Sequence, residues 1–329
     1  MKKKCALLLI AAMVCMMLTA CGKEDGMTKV KLTEVAHSIF YAPMYVAIEE
    51  GYFEEENIEV ELVNGLGADK TMTAVLSGES EIGFMGSEAS VYVYNEGAED
   101  YVVNFAQLTQ RAGNFLVSRE AEPDFKMTDL KGKTVLGGRK GGMPQMVFEY
   151  ILKKYGMDPA TDLNIIQNID FGMTAQAFSG GSGDYTVEFE PSATALEKEG
   201  AGFVVSSLGV ESGYVPYTAF SAKKSYIEKN PDVIEGFVKA LQKGMDYVNT
   251  HTPEEIAGII QPQFAETDRD TLVTIITRYY DQNSWKEDLV FSEEAFTLLL
   301  DILESAGELE KRPPYKDLVD NTYSEKAMK

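Results

Sequence analysis

The chain has 329 residues, 45% of them hydrophobic, so it can bury a sizeable core and is long enough for two domains. Its 30 Lys and Arg stand against 52 Asp and Glu, a net charge of −22 that argues against nucleic acid as a partner and against electrostatic binding to anionic lipid. All three cysteines, Cys5, Cys15 and Cys21, fall within the first 21 residues, so the folded body is expected to carry neither disulfides nor thiol chemistry.

Lys2, Lys3 and Lys4 precede an apolar stretch from Cys5 to Ala20 that gives way at once to polar GKEDG. That pattern is a secretory signal, too short and too abruptly ended to be a membrane span. LTAC, Leu18 to Cys21, resembles a bacterial lipobox. It implies cleavage after residue 20, acylation of Cys21 and an extracytoplasmic protein held to the bacterial cell membrane by its lipid. Residues 22–28, GKEDGMT, then form a polar tether reaching at most about 25 Å.

From there apolar strand-like runs alternate with helical patterns, the order expected of an α/β fold with mainly parallel sheets flanked by helices. KVKLTEVA is a strand; a helix follows with Pro43 in its first turn and Gly51 as its stop. IEVELVN is a strand, GADKTMTAVLSG a helix, EIGFMG a strand, SEASVYVYN a helix and YVVNFAQLT a strand. A second series runs through NFLVSRE, DLKGKTVLGG, the helix MPQMVFEYILKKYG, LNIIQNI, the helix PSATALEKEG, GFVVSS and GYVPYTAFSA. Beyond Lys223 only helical patterns remain, each with an acidic or hydroxyl start. The stretches near 110–120 and 212–221 read as crossings between two lobes. Residues 29–112 with 218–329 are expected to form one lobe and 113–217 the other, with a cleft at two hinges.

APMYVAIEEGYFEEENIEVEL, LSGESEIGF, DLKGKTV, LKKYGMDP, EPSATALEKEG and YIEKNPDVIEGFVKALQKGMDYV occur in that order across nearly the whole body. Together they resemble the substrate-binding proteins of bacterial ABC importers that serve thiamine pyrimidine precursors, sulfonates and nitrate. The resemblance implies a periplasmic-binding-protein fold of type II topology, closing on a solute that is handed to permease subunits, with no cofactor and a monomeric chain. Pro43, Gly51 and Phe53 match the family's first-helix pattern, where they shape the fold. Related eukaryotic pyrimidine synthases carry a histidine shortly after the counterpart of EIGF and a cysteine cluster. Here Ala89 stands at the histidine position and no cysteine follows Cys21, so that chemistry is not expected.

Parallel sheets bind ligands at their strand-to-helix turns, where free amides and helix dipoles converge. Four such turns are readable: 37–42, 64–70, 85–90 and 137–145. They supply His37, Ser38 and Tyr41; Gly65, Leu66 and Gly67; Ser87 and Glu88; and Gly142 and Met143 as candidate ligand-binding residues. Phe40, Tyr41 and Tyr185 suit stacking on a planar solute. Glu188 and Glu190, in the return TVEFEP, suit a nitrogenous solute through directional hydrogen bonds, although Glu190 equally suits a helix cap. Thr109 and Arg111 end the fourth strand beside the first crossing, Arg111 facing either an anionic solute or an acidic neighbour.

GGRKGG lacks the Gly-Lys-Ser/Thr ending of a phosphate loop. His37 and His251, far apart, do not form a metal set, and no nucleophile motif is present. The expected function is capture of a small nitrogenous solute by hinge closure. An oxyanion receptor, a sensory module and, as a different class, a pyrimidine-forming enzyme are the alternatives.

Overall fold

The structure is a computed structural model describing residues 26–170 and 172–329. The signal over 1–21, the lipidation of Cys21 and the first part of the tether lie outside the described residues. Among the described residues, ten short runs rich in Val, Ile, Phe and Thr form strands: β1 (Thr28–Glu34), β2 (Ile58–Asn64), β3 (Ile82–Gly86), β4 (Val102–Gln107), β5 (Asn114–Ser118), β6 (Thr134–Leu136), β7 (Asn164–Ile166), β8 (Tyr185–Phe189), β9 (Phe203–Ser207) and β10 (Thr218–Lys223). They make two five-stranded sheets, ordered β2-β1-β3-β10-β4 and β7-β6-β8-β5-β9.

In each sheet four strands point one way and one is reversed. β10 is antiparallel to both β3 and β4, and β5 to both β8 and β9, while the remaining pairs are parallel. The reversed strands are the two that the chain enters directly after crossing between sheets, through residues 108–113 and 208–217. A chain arriving from the neighbouring lobe reaches the sheet at the end where the parallel strands finish. It must therefore run back against them, which leaves those C-terminal strand ends facing the other lobe.

Packing fixes this frame. The helix Pro231–Thr250 buries Ile234, Phe237, Val238, Leu241, Met245 and Val248, a three-and-four spacing that covers one stripe. Phe237 meets Phe53, Phe105 and Phe220, and Phe220 stacks on Phe84 with ring centroids 4.1 Å apart. Gly244 lets this helix lie on the helix Ala42–Glu49, since a Cβ there would stand 2.2 Å from the Pro43 carbonyl oxygen. β4 ends its sheet yet is fully buried, because the C-terminal segment covers it: Asn104 bridges Val319, and Ser324 Oγ donates to the Phe105 carbonyl.

Three elements depart from the sequence pattern. TVEF, expected as a return, is β8, paired on both sides at the centre of the second sheet. Thr174–Ser179 forms a helix that its short polar run did not announce. The strand expected from GYVPYTAFSA begins only at Thr218, since Pro216 has no N–H to give a ladder.

Candidate functional site

Two adjoining cavities lie where the strand ends of the two sheets meet. The larger, about 170 Å³, is lined on one side by Ala36, His37, Ser38, Asn64 and Leu66, and on the other by residues including Asn114, Thr174 and Val187 to Ser192. The smaller, about 50 Å³, is lined by Val35, Tyr41, Gly67, Gly86 and Glu88 facing Gly142 and Met143, with Tyr217 and Thr218 from the second crossing. Arg139, Pro144 and Phe189 line both. The walls touch directly: Ser38 Oγ donates to the Glu190 carbonyl at 2.7 Å, Tyr92 Oη to the Gly141 carbonyl at 2.8 Å, and Arg139 pairs with Asp69 at 3.4 Å.

Two buried carboxyls stand on opposite walls. Glu88 opens the helix Glu88–Asn95 after β3 and is 2% exposed. Gly86 makes room for it, because a Cβ at Gly86 would stand 2.1 Å from Glu88 Oε2. Burial pushes the Glu88 carboxyl up to about 7, against backbone hydrogen bonds from Glu88 itself and from Met143 across the cleft and against the nearby Arg139 charge. Its Oε2 has no hydrogen-bond partner among the described residues. Glu188, next to the end of β8, is likewise buried, and burial pushes it up to about 7 in spite of hydrogen bonds from Thr186 and Thr174. Asn114 is another cleft residue with an unpartnered atom: its side-chain oxygen accepts from Tyr217 Oη, while Nδ2 has no partner among the described residues.

Other polar groups at the cleft are already engaged. The Glu190 carboxylate accepts from the Thr194 N–H and hydroxyl and pairs with Arg278 at 2.7 Å, and Arg278 also reaches Glu197 at 2.8 Å. Both ring nitrogens of His37 have partners, Nδ1 with Glu34 at 2.8 Å and Nε2 donating to the Gln263 carbonyl at 2.8 Å, and the ring stacks on Phe264. Burial raises Glu34 although His37 and Tyr45 hydrogen-bond to it. Burial opposes a charge on His37, but the bonds to Glu34 and Gln263 prevail and raise it.

Most of the expected site residues come together here. His37, Ser38, Tyr41, Leu66, Gly67, Glu88, Gly142, Met143, Glu188 and Glu190 line the cavities. Gly65 lies just behind, against Thr71 and Thr33, and Ser87 is buried with its hydroxyl on the Pro216 carbonyl. The remaining three lie elsewhere. Thr109 shares a hydroxyl hydrogen bond with Thr218 in the crossing; Arg111 donates to the Gly209 carbonyl and lies over the Tyr214 ring; Tyr185, at the far end of β8, donates to Glu122. Asn64, Asn114, Arg139, Thr174 and Phe189 line the site without having been singled out. Most of them end or begin an element, and a rule that weighs every polar or aromatic residue at a strand terminus would have found them. No grouping of His, Cys, Asp or Glu among the described residues could hold a metal ion.

The family model described as "NMT1/THI5 like" matches residues 39–256. The chain is 50% identical over 309 residues to the provisionally named binding protein YtlA of Bacillus subtilis (strain 168), covering 94% of this chain and 92% of that one. It is 24% identical over 261 residues to the 4-amino-5-hydroxymethyl-2-methylpyrimidine phosphate synthase of Candida albicans (strain WO-1), covering 70% of each. Among solved structures it is similar to the alkanesulfonate-binding protein SsuA of Xanthomonas axonopodis pv. citri bound to MOPS, with a TM-score of 0.72, 14% identity, and 91% and 100% of the two chains covered. The chain belongs to the NMT1/THI5-like family and has the α/β fold of the periplasmic binding proteins.

Proposed function

We propose that the protein is the extracytoplasmic solute receptor of an ABC importer, tied to the membrane through lipidated Cys21, and that it captures a small nitrogenous organic solute by hinge closure. The observation that carries this reading is a pair of adjoining cavities, about 170 and 50 Å³, whose polar groups come from both sheets. The two crossings are the natural hinges between 29–112 with 218–329 and 113–217. A closed form that alone makes both sets of contacts is selected by the solute. No helix among the described residues is long and apolar enough to cross a membrane, so the reading leaves membrane attachment to the lipid. The 50% identity to a binding protein over 94% of the chain supports binding over catalysis.

The rival is an enzyme of the pyrimidine-synthase kind, favoured by the Candida relative. Against it stand Ala89 where that reading needs a histidine and the lack of cysteine beyond Cys21. Incubating purified protein with a solute that stabilises it, then recovering that solute, separates the two. A receptor returns it stoichiometrically unchanged; a new product would refute the receptor reading. Small-angle scattering with and without that solute tests hinge closure, and an unchanged radius of gyration would count against it.

A further inference from the structure

Resting on the receptor reading, we propose that the solute is a small organic cation with N–H donors, of ammonium, amidinium or guanidinium type, gripped by Glu88 from one lobe and Glu188 from the other. The charge inventory of the cleft leads there. Arg139 is the lysine or arginine lining the cavities, and Asp69 already pairs with it. Glu190 is matched by Arg278, and Glu34 faces His37. Glu88 and Glu188 have no such partner among the described residues: around Glu88 stand the backbone of Met143 and the Arg139 charge, and around Glu188 the hydroxyls of Thr186 and Thr174.

Glu88 Oε2 adds the independent sign. It is a buried acceptor at the cavity wall without a hydrogen bond, and such groups cost stability unless something fills them. A solute N–H meets that need, whereas against the ionised carboxylate, the form present at pH 8, a sulfonate or nitrate oxygen would set acceptor against acceptor. Asn114 Nδ2, unpartnered on the opposite wall, offers a donor, so the cation also carries an acceptor atom such as a carbonyl or hydroxyl oxygen. Because Glu88 and Glu188 line adjoining cavities on opposite walls, a cation that reaches both ties the walls together.

The test is calorimetric titration at pH 8 of wild type, Glu88→Gln and Glu188→Gln with methylguanidinium, acetamidinium and ethanolammonium, and separately with methanesulfonate and nitrate. The expected result is binding of at least one cation, weakened about tenfold or more by each substitution, and no binding of the anions. Circular dichroism melts of the two variants establish that they fold. Binding of an anion to wild type, or cation affinity unchanged in both variants, overturns the cation assignment and leaves the receptor reading standing. No binding of any cation by a folded wild type likewise overturns the cation assignment alone, whereas a product formed from any of these compounds overturns the receptor reading and this inference with it.

Discussion

Replacing Glu88 by Gln keeps the shape of the side chain and removes its titration, and the effect on stability follows from burial. A free glutamic acid titrates near 4.5, and burial lifts Glu88 to about 7. Below pH 4.5 the group is protonated in folded and unfolded chains alike, and it costs nothing. As the pH rises toward 7 the unfolded chain gives up the proton while the folded chain keeps it, so stability is lost; above 7 both are ionised and the loss stays constant. A separation of about 2.5 units at 1.36 kcal/mol each gives about 3 kcal/mol. Gln has no such term, and its amide oxygen still accepts from the Met143 N–H. Urea unfolding of solute-free wild type and Glu88→Gln should therefore give equal stabilities near pH 4.5 and a variant about 3 kcal/mol more stable at pH 8. Parallel pH profiles, or a variant weaker at pH 8, would show that Glu88 is solvated and that the cleft is not dry around it.

Glu188→Gln should shift stability with the same sign and over the same pH window, since burial lifts Glu188 to about 7 as well, and the same urea series reads it. Arg278→Met strands the buried Glu190 carboxylate and should cost about 3 kcal/mol at pH 7 by denaturant unfolding, much of it recovered in the double variant with Glu190→Gln. Gly244→Ala drives a Cβ to 2.2 Å from the Pro43 carbonyl, so a change that would add about 1 kcal/mol in a free helix should instead lower the melting temperature by several degrees. A true solute at a hundredfold excess over its Kd should add about 2.7 kcal/mol in a thermal-shift assay, against none for a non-ligand.

Much of the fold was legible because it is written in local rules. Pro43 and Gly51 bracket a helix, Gly51 by adopting φ 72°, and Val30, Leu32, Ile82 and Phe84 mark strands that end at the cleft. β8 was not legible, because TVEFEP mixes acids with apolar residues and only its two neighbours make it a central strand. The site was legible as turns and not as contacts. Glu190 sits at the cleft by position, yet Thr194 and Arg278, the latter 88 residues away, occupy its carboxylate. Arg111 sits beside a crossing by position, yet the Tyr214 ring and the Gly209 carbonyl hold it. Such partners come from distant segments, and strand ends alone do not name them.

If the protein works by the proposed hinge closure, the same inventory bears on the balance between open and closed forms. The contacts that join the two sides are many: beside Ser38 to Glu190, Tyr92 to Gly141 and the exposed pair of Arg139 with Asp69, Arg278 holds Glu190 and Glu197, Lys198 pairs with Asp268, Ser207 donates to Gln282 and Tyr279 donates to the Gly113 carbonyl. At about 1 kcal/mol net for each hydrogen bond and less for each exposed pair, together they favour the joined arrangement by several kcal/mol. Above pH 7 an ionised Glu88 kept buried opposes that arrangement. Under the proposed hinge closure, a solute group that satisfies Glu88 removes that opposition and so favours the closed form.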